Sequence, residues 1–127
     1  MLATTIQSVG EVVILHCAGR IVAGNESDLL RKAALSQLHK RTLVLDLAQV
    51  ETVDGGGIGL LVFLQAEAST AGTELILMNP TQPVRELLEV THLDLVFCIA
   101  ASEDASSRRP FSAADDTNGN QREITNR

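Results

Sequence analysis

An almost uninterrupted apolar segment in the middle of the chain, Leu43-Val44-Leu45-Asp46-Leu47, constrains the fold more than any other feature. Runs of this kind are typical of strands that are covered on both faces, as in parallel sheets. A second such segment, Glu74-Leu75-Ile76-Leu77-Met78, follows further along the chain. Because parallel strands need a crossover between them, the two segments predict a β-α-β arrangement.

Apolar residues at helical spacing supply the crossovers. Leu30, Ala34 and Leu38 recur every four residues, which predicts an amphipathic helix with Asn25 as its N-cap. Two further helices are predicted in the same way. The expected helices cover residues 26–39, residues 60–70 with Gly72 as C-cap, and a segment that begins after Thr81 and buries Val84, Leu87, Leu88 and Thr91.

The start of the chain predicts a β-hairpin. A short, mixed segment, 4–8, and a segment rich in β-branched residues, 12–18, lie on either side of Gly10. Residues 96–99 are expected to form the last strand, and loops are expected between Gly19 and Gly24 and over residues 48–53. The order β-β-α-β-α-β-α-β predicts an α/β fold: one domain over residues 1–102, with a mixed sheet of about five strands and three or four packed helices.

Beyond Ala101 the composition changes. Phe111 and Ile124 are the large apolar residues of this segment, which cannot bury enough surface to offset the entropy of ordering it. Residues 103–127 are therefore predicted to be a disordered tail.

Charge and cysteine usage exclude several classes of function. The net charge of −6 and the lack of a basic cluster argue against nucleic acid as a partner. Cys17 and Cys98 lie in apolar runs, which predicts two buried thiols and a reducing compartment. Residues 1–10 lack a secretory signal, and the longest apolar run, residues 58–64, is too short to span a bilayer. These features predict a cytoplasmic protein without membrane insertion.

No catalytic or metal-binding pattern is visible. His16, His39 and His92 lack the spacing of metal ligands, and no nucleophile elbow is present, so we expect no metal and no cofactor. His16 and Cys17 are neighbours on a strand and should point to opposite faces. Asp46 and Asp54 are candidate acid-base residues by position, but Asp54 has a simpler role as a helix N-cap. The sequence therefore predicts a binding protein rather than an enzyme.

The glycine cluster Gly55, Gly56, Gly57 and Gly59 follows a strand and precedes a helix. Phosphates bind at such places, but both the G-x-G-x-x-G and the P-loop patterns fail here. The simpler interpretation is a tight strand-to-helix turn with bare backbone that a protein partner can approach closely. A small-ligand or nucleotide-binding module stays open as an alternative.

Around these glycines the sequence resembles a known family. The apolar strand, then Val53-Asp54-Gly55-Gly56-Gly57-Ile58-Gly59, then an apolar helix resemble the signature of STAS domains, most closely the bacterial anti-sigma factor antagonists. Their pattern is Asp-Ser-Ser/Ala-Gly-Leu/Ile-Gly. Further similar segments are Gly19-Arg20-Ile21-Val22, residues 83–93 and Val96-Phe97, so that the resemblance covers residues 4–105.

The resemblance implies a function without catalysis. In that family, an anti-sigma factor that is also a serine kinase binds the antagonist and phosphorylates the serine after the Asp, in a partner-switching pathway of transcription regulation. Gly55 stands at that position and has no hydroxyl, which implies a variant that cannot be phosphorylated there. Phosphorylation at Thr52 or Ser27 would be another route. The implied partner-binding residues are Asp54, Gly55, Gly56, Gly57, Ile58, Arg20 and Asn25.

A second interpretation of the same resemblance is an accessory STAS subunit of a lipid-transport ABC system, or of a scaffold assembly. The sequence indicates neither the identity of the partner nor the oligomeric state.

Overall fold

The chain begins with an antiparallel hairpin, in a computed structural model that describes residues 2–101. Gly10 makes the turn with a positive φ of 60°, as predicted. The elements in chain order are β1 (Leu2–Val9), β2 (Val12–Ile21), α1 (Asn25–Leu35), β3 (Thr42–Val53), α2 (Gly55–Ala71), β4 (Glu74–Met78), α3 (Gln82–Val90), a 3-10 turn (Leu93–Leu95) and β5 (Cys98–Ala100).

The five strands form one mixed sheet in the order β1-β2-β3-β4-β5. The β1–β2 pair is antiparallel, and β2, β3, β4 and β5 pair in parallel. The three crossovers step across the sheet in the same direction, so their common right-handedness places all three helices on one face. The predicted fold class is confirmed.

Both faces of the central strand β3 are buried, as its apolar run predicts. Leu43, Leu45 and Leu47 point towards the helices and are fully inaccessible. Val44 points the other way and joins a second buried cluster with Ile76 on β4. The main core lies between the sheet and the helices, to which α1 contributes Leu30 and Ala34, α2 contributes Leu60, Leu61, Leu64 and Ala68, and α3 contributes Val84 and Leu88.

The strands are longer than the sequence predicts. Residues 48–53 were expected as a loop but extend β3, and Gly19 lies inside β2 rather than in a loop. Two register irregularities interrupt the β2–β3 pairing, near His16 and near Gly19. At the first of them, the Asp46 carboxylate accepts a hydrogen bond from the Ala48 N–H at 3.1 Å. The extra residues break the alternation of apolar side chains in the second part of β3, so the sequence pattern did not predict a strand there.

The helix starts also differ from expectation. Gly24, with φ at 123°, precedes α1, and Asn25 is the first residue of the helix rather than its cap. The helix ends at Leu35, short of the predicted residue 39. Thr81 precedes α3 but donates its hydroxyl hydrogen bond to the Val50 carbonyl at 2.8 Å instead of capping the helix. That bond fixes the start of α3 against β3. Gly72 ends α2 in the left-handed conformation, as predicted.

The last part of the domain is shifted relative to prediction. Strand β5 comprises Cys98–Ala100, whereas residue 96 was expected to begin it. On α3, Val84 and Leu88 are buried, Leu87 is half-buried, and Thr91 is exposed rather than buried. No helix among residues 2–101 is long and apolar enough to cross a membrane. The tail predicted for residues 103–127 lies outside the described residues.

The two cysteines differ, although both were predicted to be buried. Cys17 is buried on the helix side of β2, whereas Cys98 is exposed because β5 is the edge strand. Burial, with a smaller contribution from the charge of Asp46, raises the pKa of the Cys17 thiol from 9.0 to about 12.

This raised pKa predicts an alkaline loss of stability. Above pH 9 the unfolded chain releases the Cys17 proton, while the folded chain holds it until its own pKa is reached. Rising pH therefore favours unfolding, by about 2 kcal/mol between pH 9 and pH 10.5. Urea denaturation of the wild type and of Cys17→Ala across this range should show a flatter pH dependence for the variant. Equal slopes would contradict the prediction.

Candidate functional site

The junction between β3 and α2 is organised by one carboxylate. Asp54 is extended, caps α2 as predicted, and accepts a hydrogen bond from the Gly57 N–H at 2.8 Å. The glycines were predicted to form a turn, but the structure places Gly55 and all that follow inside the helix. The junction is this short because Asp54 alone makes the change from strand to helix.

Asp54 also holds the loop between β2 and α1. Its Oδ1 accepts a hydrogen bond from the Ala23 N–H at 3.2 Å, and its own N–H donates to the Ile21 carbonyl at 3.3 Å. Two predicted site residues flank this loop: Arg20 is exposed near the end of β2, and Asn25 is exposed in the first turn of α1. The structure therefore brings the two predicted parts of the site together at the carboxyl end of the parallel strands.

Two of the glycines are required by packing. A Cβ at Gly57 would overlap the Ile21 carbonyl and lie 2.7 Å from Val53 Cγ1. A Cβ at Gly56 would lie 2.5 Å from Ala23 Cβ. Both positions therefore allow α2 to lie against the loop. Both were predicted to bind a partner, but Gly57 is buried and faces the core, whereas Gly56 is exposed.

The other two glycines have no such explanation. A Cβ at Gly55 or Gly59 would meet nothing within 4 Å. Both have helical backbone, and Gly59 lies beyond the first turn, where glycine costs about 1 kcal/mol relative to alanine. Internal packing therefore leaves this cost uncompensated, and bare backbone is presented to the outside.

Gly55 and Gly59 belong to a longer exposed stripe on α2, which we call the outer stripe. It comprises Gly55, Gly59, Val62, Phe63 and Ala66 and is directly opposite the buried residues of the helix. Val62 is 41% exposed and Phe63 is 39% exposed. The predicted site residue Ile58 is half-buried at the side of the helix.

Sequence reasoning missed the outer stripe because its residues look like core. A surface helix normally carries charged or polar groups away from its buried face, and α2 carries no charged side chain before Glu67. A helix that is apolar on every side is typically buried all round, whereas α2 is buried on one side and exposed on the other. The absence of charge over residues 55–66 was the signal that could have indicated a contact surface.

Asp54 makes the helix start unsuited to phosphate. Its carboxylate accepts the hydrogen bond from Gly57 that a bound anion would need, and its negative charge repels a second anion. This geometry disfavours the nucleotide-binding alternative.

His16 takes part in a polar cluster on the sheet face away from the helices. Its Nδ1 donates to Asp46 Oδ2 at 2.7 Å, and its Nε2 lies 2.9 Å from Gln7 Oε1. Cys17 points to the opposite face, as predicted. The cluster links β1, β2 and β3. Within residues 2–101, no group of three metal-binding side chains is found.

Comparisons with known proteins identify the family and the fold. A family model described as the STAS domain matches residues 3–106. A crystal structure from Thermotoga maritima, provisionally described as an anti-sigma factor antagonist, is 27% identical, with a TM-score of 0.73 over 84% of this chain and 94% of that one. The anti-sigma factor antagonist SpoIIAA in its unphosphorylated form is 20% identical, with a TM-score of 0.71 over 87% of this chain and 99% of that one.

Bacillus SpoIIAA in its phosphorylated form is also 20% identical and has a TM-score of 0.66 over 84% of this chain and 99% of that one. At 20% identity the two SpoIIAA structures show that the fold is shared.

Proposed function

This chain belongs to the STAS domain family, and from that premise we propose that it is a protein-binding regulator resembling the anti-sigma factor antagonists. Its proposed partner is an anti-sigma factor of the serine-kinase type, bound in a partner-switching pathway that controls transcription in the bacterial cytoplasm. The protein itself performs no catalysis in this proposal.

The outer stripe is the observation that carries the proposal. Apolar side chains and bare glycine backbone are exposed together on α2, over a stretch of the helix, residues 55–66, that carries no charge. Protein interfaces are depleted of charge at their centre, and a partner helix or loop can approach glycine backbone closely. Both properties favour a protein partner over a small molecule.

The predicted site residues take distinct roles around the outer stripe. Asp54 sets the helix start and holds the neighbouring loop, through its bonds to Gly57 and Ala23. Arg20 and Asn25 are exposed on either side of that loop and supply polar contacts at the rim. Gly55, Gly56 and Ile58 form the end of the contact surface nearest to Asp54.

Regulation by phosphate at Gly55 is excluded by its chemistry, since glycine has no hydroxyl. SpoIIAA is known in a phosphorylated and an unphosphorylated form, and we propose that this chain stays in the equivalent of the second. Ser27 is a poor substitute acceptor because it is buried and its hydroxyl donates to the Val22 carbonyl. Thr52 is exposed on β3 and stays available to a kinase.

A single charge in the outer stripe should separate binding from stability. We expect Val62→Glu to weaken binding to a purified anti-sigma factor kinase from the same genome by roughly tenfold or more, because it places an unpaired charge inside an apolar contact. The matched control is Val90→Glu on α3, where the side chain is 77% exposed and away from α2. Isothermal titration calorimetry of both variants and the wild type measures the difference.

Three outcomes would contradict the proposal. They are equal affinities for the two variants, phosphate transfer to Thr52 with release of the kinase, and binding to a transporter ATPase instead of the kinase. The last would favour the accessory-subunit alternative. Heat on titration with nucleoside phosphates would favour the nucleotide alternative.

A further inference from the structure

In the part of the chain that the structure describes, no strand pairs with the outer edge of β1. Among residues 2–101, β1 is the edge strand of the sheet on the hairpin side, and β2 is its neighbour on the inner side. The strand is eight residues long, and its sequence, Leu-Ala-Thr-Thr-Ile-Gln-Ser-Val, contains no charge and no proline. Its pairing with β2 is regular throughout, without a bulge.

Natural sheets usually blunt such edges. The common means are short strands, lysine or other charged side chains, proline, and bulges. The opposite edge follows this rule, since β5 has only three residues. β1 uses none of these means, and two of its large apolar side chains are exposed: Ile6 is 53% exposed and Val9 is 61% exposed. The contrast between the two edges indicates that β1 is kept open for a partner strand.

We propose that β1 pairs antiparallel with β1 of a second copy of this chain, which joins the two sheets into one of ten strands. This inference is independent of the proposed function. The net charge of −6 opposes association of two copies as a whole, so a contact between them is favoured where it adds no like charges. β1 carries none, and the β2 residues paired with it, Val12 to Gly19, carry none apart from the titratable His16. A second copy therefore meets no like charge along this edge.

The symmetry of the strand supports the same occupant. Two-fold symmetry makes an antiparallel contact of a strand with itself, so one sequence supplies both sides. All helices stay on the same face of the joined sheet if the two-fold axis is perpendicular to it. Residues that lie opposite each other then point to the same face, so the axis passes midway between the two copies of one residue. Thr5 and Ile6 are the two central residues of β1. With the axis through Ile6, its side chains from the two copies lie opposite each other as a β-branched pair.

The proposed dimer leaves the outer stripe open. α2 packs over β3 and β4, and β2 lies between these strands and the β1 edge. Binding of a protein partner at α2 and self-pairing at β1 are therefore compatible, and each can fail without the other.

The test measures the mass of the full chain in solution. Sedimentation equilibrium of the wild type should give about twice the 13.6 kDa of one chain at high micromolar concentration. Ile6→Lys and Thr5→Lys should each raise the dimer dissociation constant by roughly tenfold or more, because lysine on an edge strand opposes pairing. Val90→Lys adds the same charge on α3 and should leave the dimer unchanged. Circular dichroism confirms that each variant is folded.

Hydrogen exchange identifies the surface independently. Amides of β1 that point away from β2 should gain protection as the wild-type concentration rises, and should not gain it in Ile6→Lys. A wild type that stays monomeric at high micromolar concentration would overturn the proposal. A dimer that survives both lysine substitutions, or one that leaves the β1 amides unprotected, would overturn it as well.

Discussion

Gly57→Ala is expected to destabilise the folded chain by about 3 kcal/mol or more, because the added methyl group has no space. The added Cβ would overlap the Ile21 carbonyl and press on Val53 Cγ1 at 2.7 Å. The Ile21 carbonyl also accepts a hydrogen bond from the Asp54 N–H, so it cannot move without breaking the junction. The start of α2 would have to lift from the sheet, exposing Leu60 and Leu61.

Gly59→Ala is the matched control on the same helix. Its Cβ would meet nothing within 4 Å, so alanine should stabilise the protein by about 0.5–1 kcal/mol through its better helix propensity. Urea denaturation followed by circular dichroism gives both values. The sign is the decisive result: one Gly→Ala change should lower the midpoint and the other should raise it. If Gly57→Ala leaves the midpoint unchanged, α2 does not lie against the β2–α1 loop as described.

The limits of sequence reasoning are clearest on β3. Residues 43–47 were predicted as a strand because both faces of that segment are buried, which makes the sequence almost continuously apolar. The next part of the strand was missed because Val50 and Val53 are both buried although they are three residues apart. In a regular strand, residues three apart point to opposite faces. The register shift between Gly19 and Arg20 leaves Glu51 of β3 without a pairing residue on β2 and returns Val53 to the face that packs on the helices. No local pattern in the sequence predicts that shift.

The site shows a different limit. The sequence indicates that glycines surround the start of a helix, and Asp54 is recognisable as its cap. It does not separate Gly57, which is required by the Ile21 carbonyl, from Gly59, which is not, because the distinction depends on a strand more than thirty residues away. In the same way, Val62 and Leu61 are equally apolar neighbours. Only the position of the sheet decides that one is exposed and the other is core.

Gly55→Ser is expected to create a phosphorylation switch at a position that has no hydroxyl in this chain. The position accepts a side chain, since a Cβ there meets nothing within 4 Å and the backbone is helical. A serine hydroxyl at the first residue of α2 would lie next to Asp54, where the proposed kinase partner binds. With ATP, that kinase should phosphorylate the variant and then release it, with an affinity for the phosphorylated form lower by about a hundredfold. Intact-protein mass spectrometry and calorimetry measure the two steps.

The physical basis of that switch is charge placed within an apolar contact. Phosphate adds −1.5 to −2 charges at neutral pH, beside the carboxylate of Asp54 and at the end of the uncharged outer stripe. Position 55 is exposed, so the free protein can carry the phosphate in solvent, and release of the partner would not require unfolding. Gly55→Ala, with the same Cβ and no hydroxyl, should bind like the wild type and take no phosphate. If Gly55→Ser binds the kinase and stays unmodified, the partner is not a kinase that acts at this position. The lack of a serine then has no regulatory meaning.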